Sequence, residues 1–170
     1  RLTMCANEMT VHLALGSNLG DRQRNIETAY KLIEERVGRV TSSSAFYFSK
    51  PVGFASEHDF VNSACEVRTD LNAEELLEAI QGIERDMGRV QKSDSGGYAD
   101  RIIDIDWILA GERVINTPRL VVPHPRMHER DFVLLPMNEI APNAIHPLLQ
   151  KSVRELTEEL SSDNAIRDLT

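Results

Sequence analysis

The sequence predicts an α+β fold: a βαββαβ core with an antiparallel-rich sheet packed by helices, followed by a C-terminal helical extension. Short β-prone apolar segments alternate with two long amphipathic segments, and turn-forming residues separate them. Of the 170 residues, 41% are hydrophobic and 27% are charged, which fits one globular domain with a normal core. We therefore expect a single domain over residues 1–170, with a loose start at 1–9 and a tail at 161–170.

The first half of the core is predicted as a strand, a helix and a β-prone segment. The apolar run VHLAL at 11–15 predicts the strand, and the turn-rich segment GSNLGD leads from it into a helix over about 21–36. Asp21 is suited to cap this helix and Gly38 to end it. The β-prone segment follows at 39–49.

The second half repeats the pattern after a loop at 51–59. Residues 60–68 predict a strand, Asn72 caps a second long helix, AEELLEAIQGIERDM, and RIIDIDWIL at 101–109 predicts the last strand. The order β, α, β, β, α, β is the split βαβ, ferredoxin-like pattern. It predicts that the helices lie on one face of the sheet.

The extension beyond this core reads as short helices and turns. After a turn at Gly111, residues 113–115 are β-prone. The segment VPHPRMHERDFVLLPMNEIAP is interrupted by prolines and predicts short helical pieces. SVRELTEEL at 152–160 predicts a terminal amphipathic helix.

Charge and composition exclude several classes of protein. The net charge of -8 argues against nucleic acid as the main partner, because binding to phosphate backbones usually shows as a basic surplus. The chain has no run of 18 apolar residues, and its first residues lack the apolar core of a signal peptide, so we expect a cytoplasmic protein without a membrane partner. Cys5 and Cys65 have no metal-type spacing and form no disulfide framework.

Two aspartates interrupt the apolar strand RIIDIDWIL. Because strand side chains alternate between faces, Asp104 and Asp106 share one face, about 7 Å apart at the backbone. Their repulsion is roughly 2 kcal/mol at an effective dielectric constant near 20. A carboxylate pair on a strand suits Mg²⁺ held together with nucleotide phosphates, and the alternative is a strand with one solvated face.

Basic side chains surround this pair in the sequence, although the protein as a whole is acidic. They are Arg89, Lys92, Arg101, Arg119, His124, Arg126 and Arg130. Basic groups around two carboxylates indicate a metal and a polyphosphate, the arrangement that phosphoryl transfer requires. His124 and His128 have the i, i+4 spacing, but the prolines beside His124 argue against a zinc-binding helix.

Two further patterns leave alternatives open. GSNLGD is similar to a phosphate-binding glycine loop but lacks the P-loop ending and the G-x-G-x-x-G spacing, so an ordinary strand-to-helix turn is the competing interpretation. Gln81 and Glu84 share one face of the second helix near its end, either as ligand contacts or as part of a solvated face.

Together these segments resemble one family, the 6-hydroxymethyl-7,8-dihydropterin pyrophosphokinases of folate biosynthesis. The resemblance covers residues 11–160 and rests on LGSNLGDR, KPVG, FVNSA, IERDMGRV, RIIDIDWIL, INTPRLVVPHPRMHERDFVLLP and EIAP. It is most specific where R-x-x-D-x-D is followed by V-P-H-P-R-M-x-x-R-x-F. The chain departs from the family at Phe60, where tyrosine is frequent, and at Gln91, Tyr98 and Asp100 in the loop before Arg101.

The resemblance implies transfer of the terminal pyrophosphoryl group of ATP to the hydroxymethyl oxygen of the dihydropterin, with release of AMP. The oligomeric state does not follow from the sequence, and a monomer is our expectation. Two Mg²⁺ ions would be held by Asp104 and Asp106. The catalytic residues would be Arg89, Lys92, Arg101, Asp104 and Asp106. ATP would contact Gln81, Glu84, Arg89, Lys92, Arg101, His124 and Arg130. The pterin would contact Ser49, Val52, Gly53, Phe60, Asn62, Asp104 and Phe132.

Three questions stay open from the sequence. The hydroxyl proton could pass to Asp104, or a metal-lowered pKa could make a dedicated base unnecessary. A nucleotide-sugar transferase also uses an Asp-x-Asp metal site, although it normally needs a longer chain and a doubly wound sheet. A non-catalytic ferredoxin-like binding module would leave the aspartates and the basic cluster as surface features.

Overall fold

The computed structural model describes residues 8–50, 59–88 and 101–168, apart from the side chains of 163–168. Its main sheet contains five antiparallel strands in the order β2-β4-β1-β5, with β3 also paired to β4. The core elements are β1 (Met9–Ser17), α1 (Arg22–Arg36), β2 (Arg39–Ser43), β3 (Tyr47–Ser49), β4 (Phe60–Thr69), α2 (Ala73–Asp86) and β5 (Asp104–Leu109). The extension contains β6 (Ile115–Asn116), β7 (Val121–Val122), a 3₁₀ turn (Met127–Glu129), α3 (Asp131–Ile140), β8 (Ile145–His146), β9 (Lys151–Ser152) and α4 (Val153–Asp168).

This order confirms the ferredoxin-like prediction, with one change in its second strand. The β-prone segment 39–49 forms two strands, β2 and β3, which both pair with β4. The break falls at Ala45, whose N–H donates to the Glu139 carboxylate of α3 at 3.1 Å. The chain therefore leaves the sheet for three residues and returns beside the start of β4.

The two core helices begin at the predicted caps. Asp21 Oδ1 accepts a hydrogen bond from the N–H of Arg24 at 3.3 Å. Asn72 and Glu75 form a reciprocal capping box, with distances of 2.9 and 3.0 Å. Such caps satisfy N–H groups that the first helical turn leaves without partners.

The helices cover both faces of the sheet, not the single face that the sequence predicted. Leu13 and Leu15 of β1 pack with α1 and α2, whereas Ala14 faces the opposite side. That opposite side is covered by apolar side chains of the extension, namely Met127, Val133, Leu134, Met137, Val153 and Leu156. Because β1 has apolar residues on both of its faces, each face of the sheet must pack against other elements. The proline-interrupted extension packs on the second face.

The C-terminal helix α4 continues past residue 160, where the amphipathic pattern ends, and reaches Asp168. Its buried residues Val153 and Leu156 fix its first turns against α3. Among the described residues, no helix combines the length and the apolar composition needed to cross a membrane.

Candidate active site

The site begins with a row of three residues across the sheet. Strand register places Asn62 of β4 opposite Gly16 of β1, and Gly16 opposite Asp104 of β5. A Cβ on Gly16 would lie 3.3 Å from Asn62 Oδ1 and 3.4 Å from Cδ1 of Phe60. Glycine therefore leaves a flat space between the amide and the carboxylate, as it does where a ligand approaches the backbone closely.

A cavity, here called the sheet pocket, lies over this row. It is lined by Ala14, Leu15, Gly16, Ser49, Lys50, Phe60, Asn62, Arg101, Asp104, Asp106, Arg130, Phe132 and Val133. The described residues that the sequence assigned to the pterin all line this pocket. Val52 and Gly53, which received the same assignment, lie outside the described residues.

Asn62 presents an acceptor to the sheet pocket. Its Nδ2 donates to Ser49 Oγ at 2.7 Å and, at 3.4 Å, to the carbonyl oxygen of Tyr47. The side chain is buried, and its Oδ1 is the atom that a Cβ on Gly16 would approach. Because Ser49 and Tyr47 use the NH₂ group, the amide turns its carbonyl oxygen toward the pocket.

The wall opposite the sheet comes from the first turn of α3. Phe132 lies there, and the guanidinium carbon of Arg130 is 5.5 Å from its ring centroid, a cation–π contact. Phe60 contributes a second aromatic ring to the same pocket. Two aromatic side chains and a hydrogen-bonding amide suit a flat heterocycle with a polar edge.

The aspartate pair lines the far end of the sheet pocket, on one face of β5 as predicted. Arg101 Nη1 lies 3.1 Å from Asp104 Oδ1. Burial, together with the charges of Asp104 and Glu84, raises the pKa of Asp106 to about 7, against the opposing effect of Arg130 and Arg101. The carboxylates are therefore crowded in the absence of a cation, as their shared face implied.

Glu84 adds a third carboxylate behind the pair. It is 8% exposed, and Oε2 accepts a hydrogen bond from the N–H of Ile105 at 2.9 Å. Ile105 lies between the two aspartates on β5, the edge strand of the sheet. Glu84 thus takes the place of a neighbouring strand at this edge and fixes the backbone between the aspartates.

A second cavity, here called the lateral cleft, lies between α2 and the segment around His124. Its polar lining residues are Gln81, Glu84, Arg85, Arg101, Asp104, Asp106, Arg119 and His124. Its apolar lining residues are Leu77, Ile80, Ile105, Trp107, Leu120, Val121 and Pro125. Four residues assigned to ATP from the sequence, namely Gln81, Glu84, Arg101 and His124, line this cleft, whereas Arg130 lines the sheet pocket.

Arg101, Asp104 and Asp106 line both cavities. These three side chains therefore form the boundary at which a ligand of the sheet pocket would meet a ligand of the lateral cleft. Arg89 and Lys92, the other predicted catalytic residues, lie outside the described residues, as do Gln91, Tyr98 and Asp100.

His124 lines the lateral cleft as a neutral donor. Its Nδ1 accepts a hydrogen bond from the N–H of Arg126 at 3.2 Å, which places the ring hydrogen on Nε2. Burial lowers the pKa of His124, and the nearby charge of Arg130 lowers it further. A neutral imidazole with Nε2–H suits an acceptor on a ligand better than a metal.

A divalent cation fits the donor set at the boundary. Among the described residues, no group of three or more histidine, cysteine, aspartate or glutamate side chains forms a metal cluster. Mg²⁺, however, is usually held by one or two carboxylates together with ligand phosphates and water. Asp104 and Asp106 supply such a pair, and the raised pKa of Asp106 indicates that added positive charge would be favourable there.

Two residues near the site, Gly16 and Asn18, were not assigned a role from the sequence, whereas Lys50 lies in the stretch near Ser49 to Gly53 whose backbone was assigned to the pterin. Gly16 and Lys50 line the sheet pocket, and Asn18 bonds to the backbone of Arg101. A glycine inside an apolar strand was the available signal for Gly16. Asn18 lies in GSNLGD, but its contact with Arg101 had no signal in the sequence, because the two residues are distant along the chain.

Comparison with known proteins identifies the family. The model of the family described as 7,8-dihydro-6-hydroxymethylpterin-pyrophosphokinase (HPPK) matches residues 12–142. The chain belongs to this family. The matched range contains the lining residues of both cavities.

Relatives of this family match most of the chain. A 2-amino-4-hydroxy-6-hydroxymethyldihydropteridine pyrophosphokinase of Porphyromonas gingivalis is 44% identical over 138 residues, or 81% of this chain and 93% of that protein. One of the same name from Aquifex aeolicus is 40% identical over 150 residues, or 88% of this chain and 91% of that protein. A folic acid synthesis protein of Dictyostelium discoideum is 42% identical over 96% of this chain, which spans 24% of that protein.

The fold agrees with solved HPPK structures. The crystal structure of wild-type HPPK-DHPS from Plasmodium falciparum matches with a TM-score of 0.75 at 18% identity. The match covers 91% of this chain and 45% of that chain, so this chain spans under half of the larger protein.

Proposed function

We propose that this chain transfers the pyrophosphoryl group of ATP to the hydroxymethyl group of 6-hydroxymethyl-7,8-dihydropterin and releases AMP, the reaction of its family in folate biosynthesis. The observation that carries the proposal is the boundary of Arg101, Asp104 and Asp106, which both cavities share. A transfer between two substrates needs both of them to meet at one charged centre.

The pterin is assigned to the sheet pocket. Its flat ring would lie over Gly16, between the rings of Phe60 and Phe132, and its amide-like edge would donate to Asn62 Oδ1. The hydroxymethyl arm would then point toward Asp104, which is in register with Gly16. Ser49 acts here through its hydrogen bond with Asn62, and contacts from Val52 and Gly53 stay a prediction.

ATP is assigned to the lateral cleft. Its apolar patch of Leu77, Ile80 and Leu120 suits a purine, and its phosphates would extend toward Arg101 and the aspartates. His124 and Gln81 offer uncharged polar groups along this path. Arg130 lies on the pterin side of the boundary, where it would meet the transferred group after reaction.

Asp104 and Asp106 would hold two Mg²⁺ ions, the number that the family resemblance implies. When bound, Mg²⁺ supplies positive charge that orients and neutralises the phosphate oxygens. Glu84 would keep the two carboxylates at a fixed spacing through its bond to Ile105. Arg89 and Lys92 complete the predicted set of cations.

The chain's own residues account for the main demands of the transfer. Negative charge grows on the phosphate oxygens as the bond to AMP breaks, and Arg101 stands beside Asp104 at that point. With the pterin in the sheet pocket, the Asp104 carboxylate would accept the proton of the attacking hydroxyl, unless bound Mg²⁺ lowers the pKa of that hydroxyl enough to make a base unnecessary. No protein nucleophile is needed, since the hydroxymethyl oxygen attacks the phosphorus directly.

The wider assignments are also proposals. The net charge of -8 supports small-molecule partners instead of nucleic acid. A monomer suffices, because the two cavities and their shared boundary all come from a single chain. A single domain and a cytoplasmic location stay predictions from the sequence.

One nucleotide analysis tests the proposed function. The protein is incubated with ATP, MgCl₂ and 6-hydroxymethyl-7,8-dihydropterin, and the nucleotides are separated by chromatography. AMP should appear in step with the pterin diphosphate and be absent when the pterin or Mg²⁺ is omitted. ADP as the product would overturn the proposal, and so would AMP formed at the same rate without the pterin.

A further inference from the structure

The turn GSNLGD contacts the site through one residue. Asn18 is 0% exposed, and its N–H donates to the carbonyl oxygen of Arg101 at 3.0 Å. Its side-chain Oδ1 accepts a hydrogen bond from the N–H of Arg101 at 2.6 Å. Both backbone polar groups of Arg101 therefore bond to the same asparagine, which is distant in sequence.

These two bonds act where the sheet no longer holds the chain. The register between β1 and β5 ends at the pair Gly16 and Asp104, and Arg101 precedes the first residue of β5. Beyond that pair, Asn18 uses its main chain for one bond and its amide for the other. An asparagine side chain can replace a backbone carbonyl in this way.

The turn that carries Asn18 is itself braced from α1. Asn25 Nδ2 donates to the carbonyl oxygen of Leu19 at 2.8 Å and to Ser17 Oγ at 3.2 Å. Gly20 adopts a φ of 70°, which favours glycine. The position of Asn18 is thus fixed by the helix as well as by the end of β1.

We propose that Asn18 is a positioning residue that sets the place of the Arg101 guanidinium in the reaction. Arg101 bonds to Asp104 at 3.1 Å and lines both cavities, so a small shift of its backbone would move its charge away from the transferred group. This inference rests on the proposed function. It argues against a phosphate contact by Asn18 itself, because the N–H and Oδ1 of Asn18 bond to Arg101.

A double-mutant cycle tests this role. Asn18→Ala should lower kcat by about tenfold or more, with the KM values of ATP and pterin changed by less than about threefold. In the Arg101→Ala background the same substitution should change kcat by less than about twofold, because its effect passes through Arg101. Asn18→Asp, which keeps an acceptor for the N–H of Arg101, should retain more of the rate than Asn18→Ala.

A control separates positioning from loss of stability. Tyr30→Phe removes a partly buried hydrogen bond from α1, which lines neither cavity, to Ser63 of β4. It should lower the melting temperature without lowering kcat. If Asn18→Ala does not fold, Asn18→Ser, whose shorter side chain cannot span the same distance, takes its place in the cycle.

Three results would overturn the inference. Equal losses of kcat from Asn18→Ala in the two backgrounds would show that Asn18 does not act through Arg101. An unchanged kcat in Asn18→Ala would show that the two hydrogen bonds between Asn18 and the backbone of Arg101, here called the Asn18 clamp, are not needed for the reaction. A raised KM for ATP with normal kcat would restore the phosphate-binding interpretation.

Hydrogen exchange separates this inference from the proposed function. The amide of Arg101 should exchange faster in Asn18→Ala than in the unaltered protein, whether or not the protein makes AMP. A protein that makes no AMP would contradict the proposed function and leave this measurement to decide whether the clamp exists. Unchanged exchange at Arg101 would show that Asn18 does not hold it.

Discussion

The sheet pocket and the lateral cleft meet at the same aspartates, but they are built in different ways. The floor of the sheet pocket comes from neighbouring strands, whose register places Asn62, Gly16 and Asp104 in a row. The lateral cleft lies between α2, the edge strand β5 and residues 119–125, and side chains from all three line it. One cavity is defined by backbone geometry and the other by the side chains that converge on it.

This difference separates recognition of shape from recognition of charge. In the sheet pocket, the missing side chain at Gly16 and two aromatic rings would select a flat ligand, and Asn62 would orient it. In the lateral cleft, Arg101 and the aspartates would act on a polyphosphate through charge. Substitutions in one cavity should therefore leave the ligand of the other almost unaffected, except at the shared boundary.

The largest expected effect is at the boundary. Asp106→Asn should lower the rate of AMP formation by about a thousandfold or more, because a neutral amide is a poor Mg²⁺ ligand and the phosphates lose their positioned counter-charge. Stabilisation of the protein by Mg²⁺ with a non-reactive ATP analogue should shrink in parallel. Near-normal turnover with a full melting shift would contradict the assignment of Asp106 to the metal.

The same substitution, Asp106→Asn, should stabilise the protein when no metal or ligand is bound, although it lowers the rate. The pKa of Asp106 is raised from 3.8 to about 7 in the folded protein, so the folded state binds this proton more tightly than the unfolded chain. The stability that this provides is lost as pH rises through that interval. Metal-free Asp106→Asn should melt at or above the wild-type temperature, with a larger gap at about pH 8 than at about pH 5. If Asp106→Asn melted below the wild type at about pH 8, burial and repulsion between the carboxylates would not be the cause of the raised pKa of Asp106.

Substitution of Arg101 should give the next largest loss of rate, and it tests whether the shared boundary acts in the transition state. Arg101→Ala should lower kcat by about a hundredfold or more, roughly 3 kcal/mol, with little loss of ATP affinity, if its charge acts mainly in the transition state. Steady-state kinetics and calorimetry with an ATP analogue provide the two numbers. Equal losses in rate and affinity would show that Arg101 only holds the ground state.

Phe132 tests the independence of the two cavities. Phe132→Ala removes one ring of the sheet pocket and should weaken pterin binding by roughly 1 to 3 kcal/mol, while ATP binding stays normal. Phe48→Ala is the matched control, because Phe48 is 63% exposed and does not line either cavity. Calorimetry that finds weaker ATP binding and unchanged pterin binding would invert the assignment of the cavities.

Local patterns in the sequence predicted the core elements and the aspartate pair well. Alternation along β5 is a local property, so the shared face of Asp104 and Asp106 follows from residue order alone. The cap at Asn72 is local for the same reason and is confirmed by its capping box. The family resemblance assigned Gln81, Glu84 and His124 to one ligand, ATP, and all three line the lateral cleft.

Contacts between distant segments could not be predicted in this way. The clamp of Asn18 on Arg101 and the space over Gly16 depend on the register of β1 with β4 and β5, which no single segment encodes. The cover on the second face of the sheet was missed because Ala14 and Ala64 are small and give a weak apolar signal. Glu84, which the resemblance assigned to ATP, lines the lateral cleft and also accepts a hydrogen bond from the backbone N–H of Ile105, a contact between distant segments.

The smallest expected effect concerns how the sheet pocket orients its amide. Ser49→Ala removes the hydroxyl that accepts from Asn62 Nδ2 at 2.7 Å, so the amide keeps the weaker 3.4 Å bond to Tyr47 and can rotate. Pterin affinity should fall by about twofold to tenfold, close to the value of one neutral hydrogen bond. Ser49→Thr keeps the hydroxyl and should restore the affinity, and ATP binding should be unaffected in both variants. A loss as large as that of Asn62→Ala would show that Ser49 contacts the pterin directly, and an unchanged affinity would show that packing alone orients Asn62.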